Sequence, residues 1–204
     1  MVSPFQNCDA WSGGSFDVLM FFGPASIDKT IELARRLWSH PRLNGPYRDR
    51  NSLPTQQSKV EPRFTEDGCE QLVGEYSHEN GEISPFVHTT IRDDDGLWVY
   101  AGIPMGGFPD SWDVGAYPFD DGKPVDWIIE LIDELAPLSE FVVDQHAARA
   151  IAYGWFDVSI LDTIEDALNG KTRDDRWHHL EVQTEDGWKV YPITKLEPLF
   201  TNAG

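Results

Sequence analysis

The sequence predicts an α+β fold: a single domain over residues 1–204, with a largely antiparallel sheet and about three helices packed mainly on one face. Three observations predict it. Three short strand-like runs follow one another with hairpin-type turns between them. Helical stripes flank that meander, so strand and helix do not alternate as β-α-β-α along the chain. Finally, 204 residues, 40% hydrophobic and with 8 Trp, fill one core well and show no internal repeat.

Taken in order, Phe16-Asp-Val-Leu-Met-Phe-Phe22 reads as a buried strand ended by Gly23-Pro24. Ser26 suits a helix N-cap, and Asp28 places negative charge in the first turn, where the helix dipole favours it. Ile27, Ile31, Ala34 and Trp38 form a helical stripe, widened by Leu33 and Leu37, and Pro41 closes the helix by about His40. Residues 42–67 lose all periodicity and read as a long irregular connection. Strands are expected at Gln71–His78, Pro85–Arg92 and Leu97–Ile103, joined by turns at Asn80-Gly81 and Asp94-Asp95-Gly96.

Residues 102–124 then form a long Gly/Pro/aromatic loop. Pro124 suits the first turn of a second helix with an apolar face of Trp127, Ile128, Leu131, Ile132 and Leu135, stopped by Pro137. Phe141-Val-Val143 reads as a short strand, and 146–152 fits either helix or strand. A third helix is expected over Ile160–Asn169, capped by Ser159 and stopped by Gly170. A hairpin, His179–Thr184 and Trp188–Ile193, closes the chain around Glu185-Asp186-Gly187. Trp38, Trp98 and Trp127 lie on apolar stripes or strands and are expected in the core.

Charge is the strongest global feature. Lys and Arg number 16 against 35 Asp and Glu, a net charge of -19. Direct contact with nucleic-acid phosphates or anionic membranes needs clustered cations, so both are excluded as partners. Residues 1–50 are near balance, with six Lys/Arg and five Asp/Glu, whereas Asp93–Asp144 sets thirteen acids against Lys123 alone. Such a block repels itself in the folded state and attracts a basic partner. No apolar run approaches the roughly 18 residues of a membrane span, and the first residues carry no signal-peptide pattern, so the expected location is the cytoplasm.

Catalytic and metal signatures are missing from the sequence. There is no His-Glu-x-x-His, no EF-hand loop, no paired Cys-x-x-Cys, no Gly-x-Ser-x-Gly elbow and no Walker lysine. His178 and His179 would point to opposite faces of a strand and cannot chelate together. Asp144-x-His146 offers at most two ligands. Cys69 beside Glu70 has the wrong neighbour for an activated thiol. No cofactor or metal is therefore expected.

The 102–124 loop is too rich in Gly and Pro for a helix or strand, and too aromatic for a flexible linker. Its Phe108, Asp110, Trp112, Asp113, Tyr117, Asp120 and Asp121, with Asp126 just beyond, make the candidate partner-binding set. The aromatics read either as interface anchors or as a mini-core that pins the loop. An acidic α+β chain with Trp-bearing strands such as Leu97-Trp-Val-Tyr-Ala-Gly-Ile-Pro104 resembles the immunity proteins of bacterial polymorphic-toxin and type VI secretion systems. That resemblance implies an inhibitor that is not an enzyme and that occludes the active site of a cognate toxin, a nuclease being one such target. The alternatives are a small hydrolase using carboxylates in a loop-lined cleft, an acidic mimic of nucleic acid, and an assembly subunit whose loop is buried in a homodimer.

Overall fold

The computed structural model describes residues 6–48, 59–63, 69–92, 94, 96–108, 126–155, 159–171 and 179–193. Eight strands make one antiparallel sheet: β1 (Ser15–Phe21), β2 (Leu43–Tyr47), β3 (Cys69–Ser77), β4 (Ile83–Arg92), β5 (Leu97–Pro104), β6 (Ala150–Trp155), β7 (His179–Thr184) and β8 (Gly187–Tyr191). Their spatial order is β2-β3-β4-β5-β1-β6-β7-β8. Among the described residues, three helices accompany them: α1 (Ile27–Trp38), α2 (Asp126–Val143) and α3 (Ser159–Leu168). The α+β architecture read from the sequence is the one found.

The first strand enters at the centre, between β5 and β6. Period-2 alternation then divides its side chains between two faces. Phe16, Val18 and Met20 join the larger core beneath α1 and α2, with Leu33, Leu37, Leu131, Leu135 and Val142. Leu19 and Phe21 point the other way and pack with Trp98, Ile164, Ala167, Leu180 and Val182 beneath α3. Two helices thus share one face, and the third covers half of the other. A short 3-10 turn, Asp9–Trp11, lays Ala10 and Trp11 on Val73 at the far end of that second face.

Helix α1 starts where its cap chemistry says: the Ser26 hydroxyl accepts the Lys29 N–H, 3.2 Å. Its last residue, Trp38, lies flat over β2 and β3. A Cβ built at Gly45 or Gly74 would come within 2.5 Å of Trp38 Cζ3, so glycine at both positions makes room for the indole. That contact corrects the reading of 42–67 as irregular throughout. Leu43–Tyr47 is an edge strand on β3, and an edge tolerates Pro46, whose missing N–H is not needed by a second neighbour.

Pro137 does not stop α2, which runs on to Val143. A proline removes one backbone hydrogen bond and crowds the carbonyl a turn back. The carbonyl freed here is that of Asp133, on the exposed side of α2, while Leu138 and Val142 continue the buried stripe beyond the proline and the Tyr76 hydroxyl donates to the next carbonyl, Glu134 O, at 2.8 Å. Phe141–Val143, expected as a strand, is accordingly the last turn of that helix. The open stretch 146–152 resolves into an approach to β6, which pairs with β1 through Phe21↔Ala150 to Phe16↔Trp155. Gly170 ends α3 at φ +74, the left-handed conformation that glycine adopts without strain.

Candidate functional site: an acidic helix and a cavity over Asp17

The 102–124 loop begins as strand. Gly102–Pro104 completes β5, and Met105–Gly107 forms a 3-10 turn. That turn is tied down by Met105 N–H to Gly14 O, 3.0 Å, Gly106 N–H to Ser12 O, 3.0 Å, and Ser84 Oγ to Gly107 O, 2.5 Å. Phe108 is half-buried and packs against the larger core. Asp110, Trp112, Asp113, Tyr117, Asp120 and Asp121 lie outside the described residues. Asp126 opens α2, and its side chain also lies outside them.

The acidic tract continues along α2. Glu130, Asp133, Glu140 and Asp144 are exposed and recur at helical spacing around Pro137, which puts them in one row. Among the described residues, none of these four lies within ion-pairing distance of a Lys, Arg or His. Ile129, 44% exposed, stands at the start of the row. His146 does not join Asp144 as a ligand pair; its Nε2 faces Glu32 at 3.9 Å. No group of three or more potential metal ligands occurs among the described residues.

Glu134 differs from its acidic neighbours because it turns inward. Arg42 Nη1 donates to its Oε1 at 3.1 Å and to the Tyr76 hydroxyl at 2.9 Å, and Arg42 also pairs with Glu79. His78 Nδ1 lies 3.2 Å from the same Glu134 oxygen, and His78 Nε2 lies 2.8 Å from Ser84 Oγ. Burial works to raise the Glu134 pKa, but the hydrogen bonds of His78 and Tyr76 and the charges of His78 and Arg42 outweigh it and hold it below the usual range. This network clamps α2 to the sheet and fixes which of its sides faces water.

On the second face, between α3 and the Asp9–Trp11 turn, the sheet is left bare enough to form a cavity of about 270 Å³. Asp17, Ser15, Gln71, Thr89 and Tyr100 give it polar groups, and Val87 and Ile91 line the rest. Strand register explains the convergence. Asp17 pairs with Gly102 and Gly102 with Val87, while Tyr100 pairs with Thr89 and Thr89 with Gln71, so two neighbouring rows present side chains to one face. A Cβ at Gly102 would sit 2.3 Å from Asp17 Oδ1, so glycine there leaves room for the carboxyl group.

Asp17 is only 5% exposed. Ser15 Oγ donates to its Oδ2 at 2.8 Å, the one hydrogen bond its carboxyl group receives among the described residues. Burial pushes its pKa up to about 7, against the smaller opposing effect of Ser15. Sequence reasoning missed this residue. The available signal was a single carboxylate in an otherwise apolar strand, on the parity of Leu19 and Phe21. Because Asp17 is the only carboxyl group lining the cavity, paired-carboxylate hydrolysis finds no second partner there among the described residues.

Among the described residues, no helix is long and apolar enough to cross a membrane. No family model matches the chain, and no curated protein does. Among solved structures, the chain is similar to one chain of the crystal structure of the toxic C-terminal tip of CdiA from Pseudomonas aeruginosa in complex with immune protein, at 11% identity and a TM-score of 0.41, covering 92% of this chain and 99% of that one.

Proposed function

We propose that this chain is an acidic binding protein that takes a basic protein partner, acting as an immunity protein that neutralises a toxin in the cytoplasm. The observation that supports it most is the exposed row Glu130, Asp133, Glu140 and Asp144, which meets no cation among the described residues and belongs to a tract of thirteen acids with one lysine. Such a row attracts an oppositely charged surface from a distance, raises the association rate and does so less at high salt. Ile129 supplies an apolar contact within it. In this reading Asp110, Trp112, Asp113, Tyr117, Asp120, Asp121 and Asp126 extend the same surface, the carboxylates steering and the aromatics slowing dissociation. On a nuclease the carboxylates would stand where substrate phosphates bind.

The test uses the basic protein encoded immediately upstream, if its reading frame is that of a secreted toxin. Association rates are measured at low and high salt for the wild type and for the variant Glu130→Gln, Asp133→Asn, Glu140→Gln, Asp144→Asn. The reading expects a rate at least about tenfold lower for the variant and a flatter salt dependence. An unchanged rate and unchanged protection against the toxin would remove α2 from the interface. Capture of a DNA-binding host factor instead of a toxin would favour the nucleic-acid mimic.

A further inference from the structure

The geometry points to a second binding site on the opposite face of the sheet from α2: the cavity over Asp17 receives an alkylammonium group, its charge on the Asp17 carboxylate and its hydrocarbon chain along Val87 and Ile91. This inference does not depend on the docking surface of α2. It rests on a carboxyl group that is 5% exposed, lines a cavity of about 270 Å³ and receives one hydrogen bond, from Ser15. No Lys, Arg or His lines that cavity, so its charge has no counter-ion among the described residues there.

The chemistry of the lining selects the ligand. An ammonium carries three donors and no acceptor, and Asp17, the Thr89 hydroxyl and the Gln71 amide oxygen are acceptors at one cavity. An anion would meet a carboxylate and a chain of net charge -19. An alcohol offers one donor and no charge, so it gains little from Asp17. At ~30 Å³ per water-sized group, the volume takes an amine of roughly five to eight heavy atoms. A free alkylamine and the tip of a lysine side chain from another protein present the same group.

Binding is linked to the proton on Asp17. Burial pushes the Asp17 pKa up to about 7, and a bound cation favours the carboxylate, so affinity rises with pH through that region and a proton leaves on binding. Among the described residues, Tyr100 on β5 is the only other titratable group lining the cavity. Beyond it, β3 contributes Gln71, β4 contributes Thr89, and β6 places Gly154 opposite Asp17.

Calorimetric titration of the full chain with n-butylammonium, Nα-acetyl-lysine amide and 1-butanol tests the inference. The expected result is saturable binding of an amine at mildly alkaline pH, about tenfold or more tighter than butanol. Asp17→Asn should abolish that preference. Thr89→Leu, which keeps the carboxylate and fills the cavity, should weaken binding with Asp17 intact. Both variants are checked by melting curves so that an unfolded chain is not mistaken for a lost site. Tighter binding of butylammonium assigns the site to a free amine; tighter binding of the lysine amide assigns it to a protein side chain. Equal binding of butanol, no saturable binding of either amine, or amine binding unchanged in Asp17→Asn would overturn the inference.

Discussion

His88 and Asp17 are both buried titratable groups on the same sheet, in adjacent cross-strand rows and on opposite faces. His88 is finished by the fold. Trp38 Nε1–H donates to its Nδ1 at 3.0 Å, which leaves the proton on Nε2 to meet Thr90 Oγ1 at 2.8 Å. The ring is neutral with both nitrogens satisfied, and burial lowers its pKa to about 3. Asp17 is not finished. It has Ser15 on one oxygen and a cavity beside it. A buried polar group whose partners all come from the chain is part of the architecture; one that opens on a cavity calls for something from outside.

The largest expected effects follow from the opposite protonation of these two groups. The Asp17 pKa rises from 3.8 unfolded to about 7 folded, so its neutral form favours the native state and that advantage disappears as pH climbs through 7. The His88 pKa falls from 6.5 to about 3, so its contribution is whole above 6.5 and disappears as pH drops toward 3. Between about pH 4 and 6.5 the two slopes, each about 1.4 kcal/mol per pH unit, oppose and cancel. Asp17→Asn should make stability rise with pH across that window and add up to about 4 kcal/mol above pH 7. Denaturant unfolding at several pH values reads both results.

Replacing His88 gives the reverse. His88→Leu orphans Trp38 Nε1 and Thr90 Oγ1 in the core and should cost about 2–3 kcal/mol near neutral pH, while leaving a slope that falls with pH between about 4 and 6.5. A smaller loss is expected from Arg42→Met. It removes one partner of a network that is only partly exposed, and about 1–2 kcal/mol of urea stability should go with it. The smallest effect belongs to the exposed row of α2. Each of Glu130→Gln, Asp133→Asn, Glu140→Gln and Asp144→Asn should leave stability within about 0.5 kcal/mol of wild type. That contrast separates a surface kept for a partner from a network kept for the fold.

What was legible in the sequence was local. Ser26 as cap, the stripe from Ile27 to Trp38, the turn at Asn80-Gly81 and the three short strand-like runs that became β3, β4 and β5 are short-range signals, and each appears where expected. The features that escaped depend on contacts distant in sequence. Leu43-Asn-Gly-Pro-Tyr47 looks like a loop until Trp38 requires a flat glycine platform and β3 offers an edge. Pro137 looks like a stop until the buried Leu138 and Val142 carry the helix past it.

The candidate site was legible only in its charge. With 35 acids in the chain, no count singles out Asp17, and its cavity arises from side chains on β1, β3, β4 and β5 that no sequence spacing joins. The acidity of α2 was visible, but the inward turn of Glu134 was not, because Arg42 and His78 reach it from distant parts of the chain.

The fold leaves the Asp17 carboxyl group buried and lining a cavity. The most direct test is the carboxyl carbon resonance of Asp17, assigned by difference against Asp17→Asn and followed through pH in the unliganded chain. The expected midpoint is about 7. A midpoint in the ordinary aspartate range, about 4, would show a solvated or internally paired carboxylate and contradict the account.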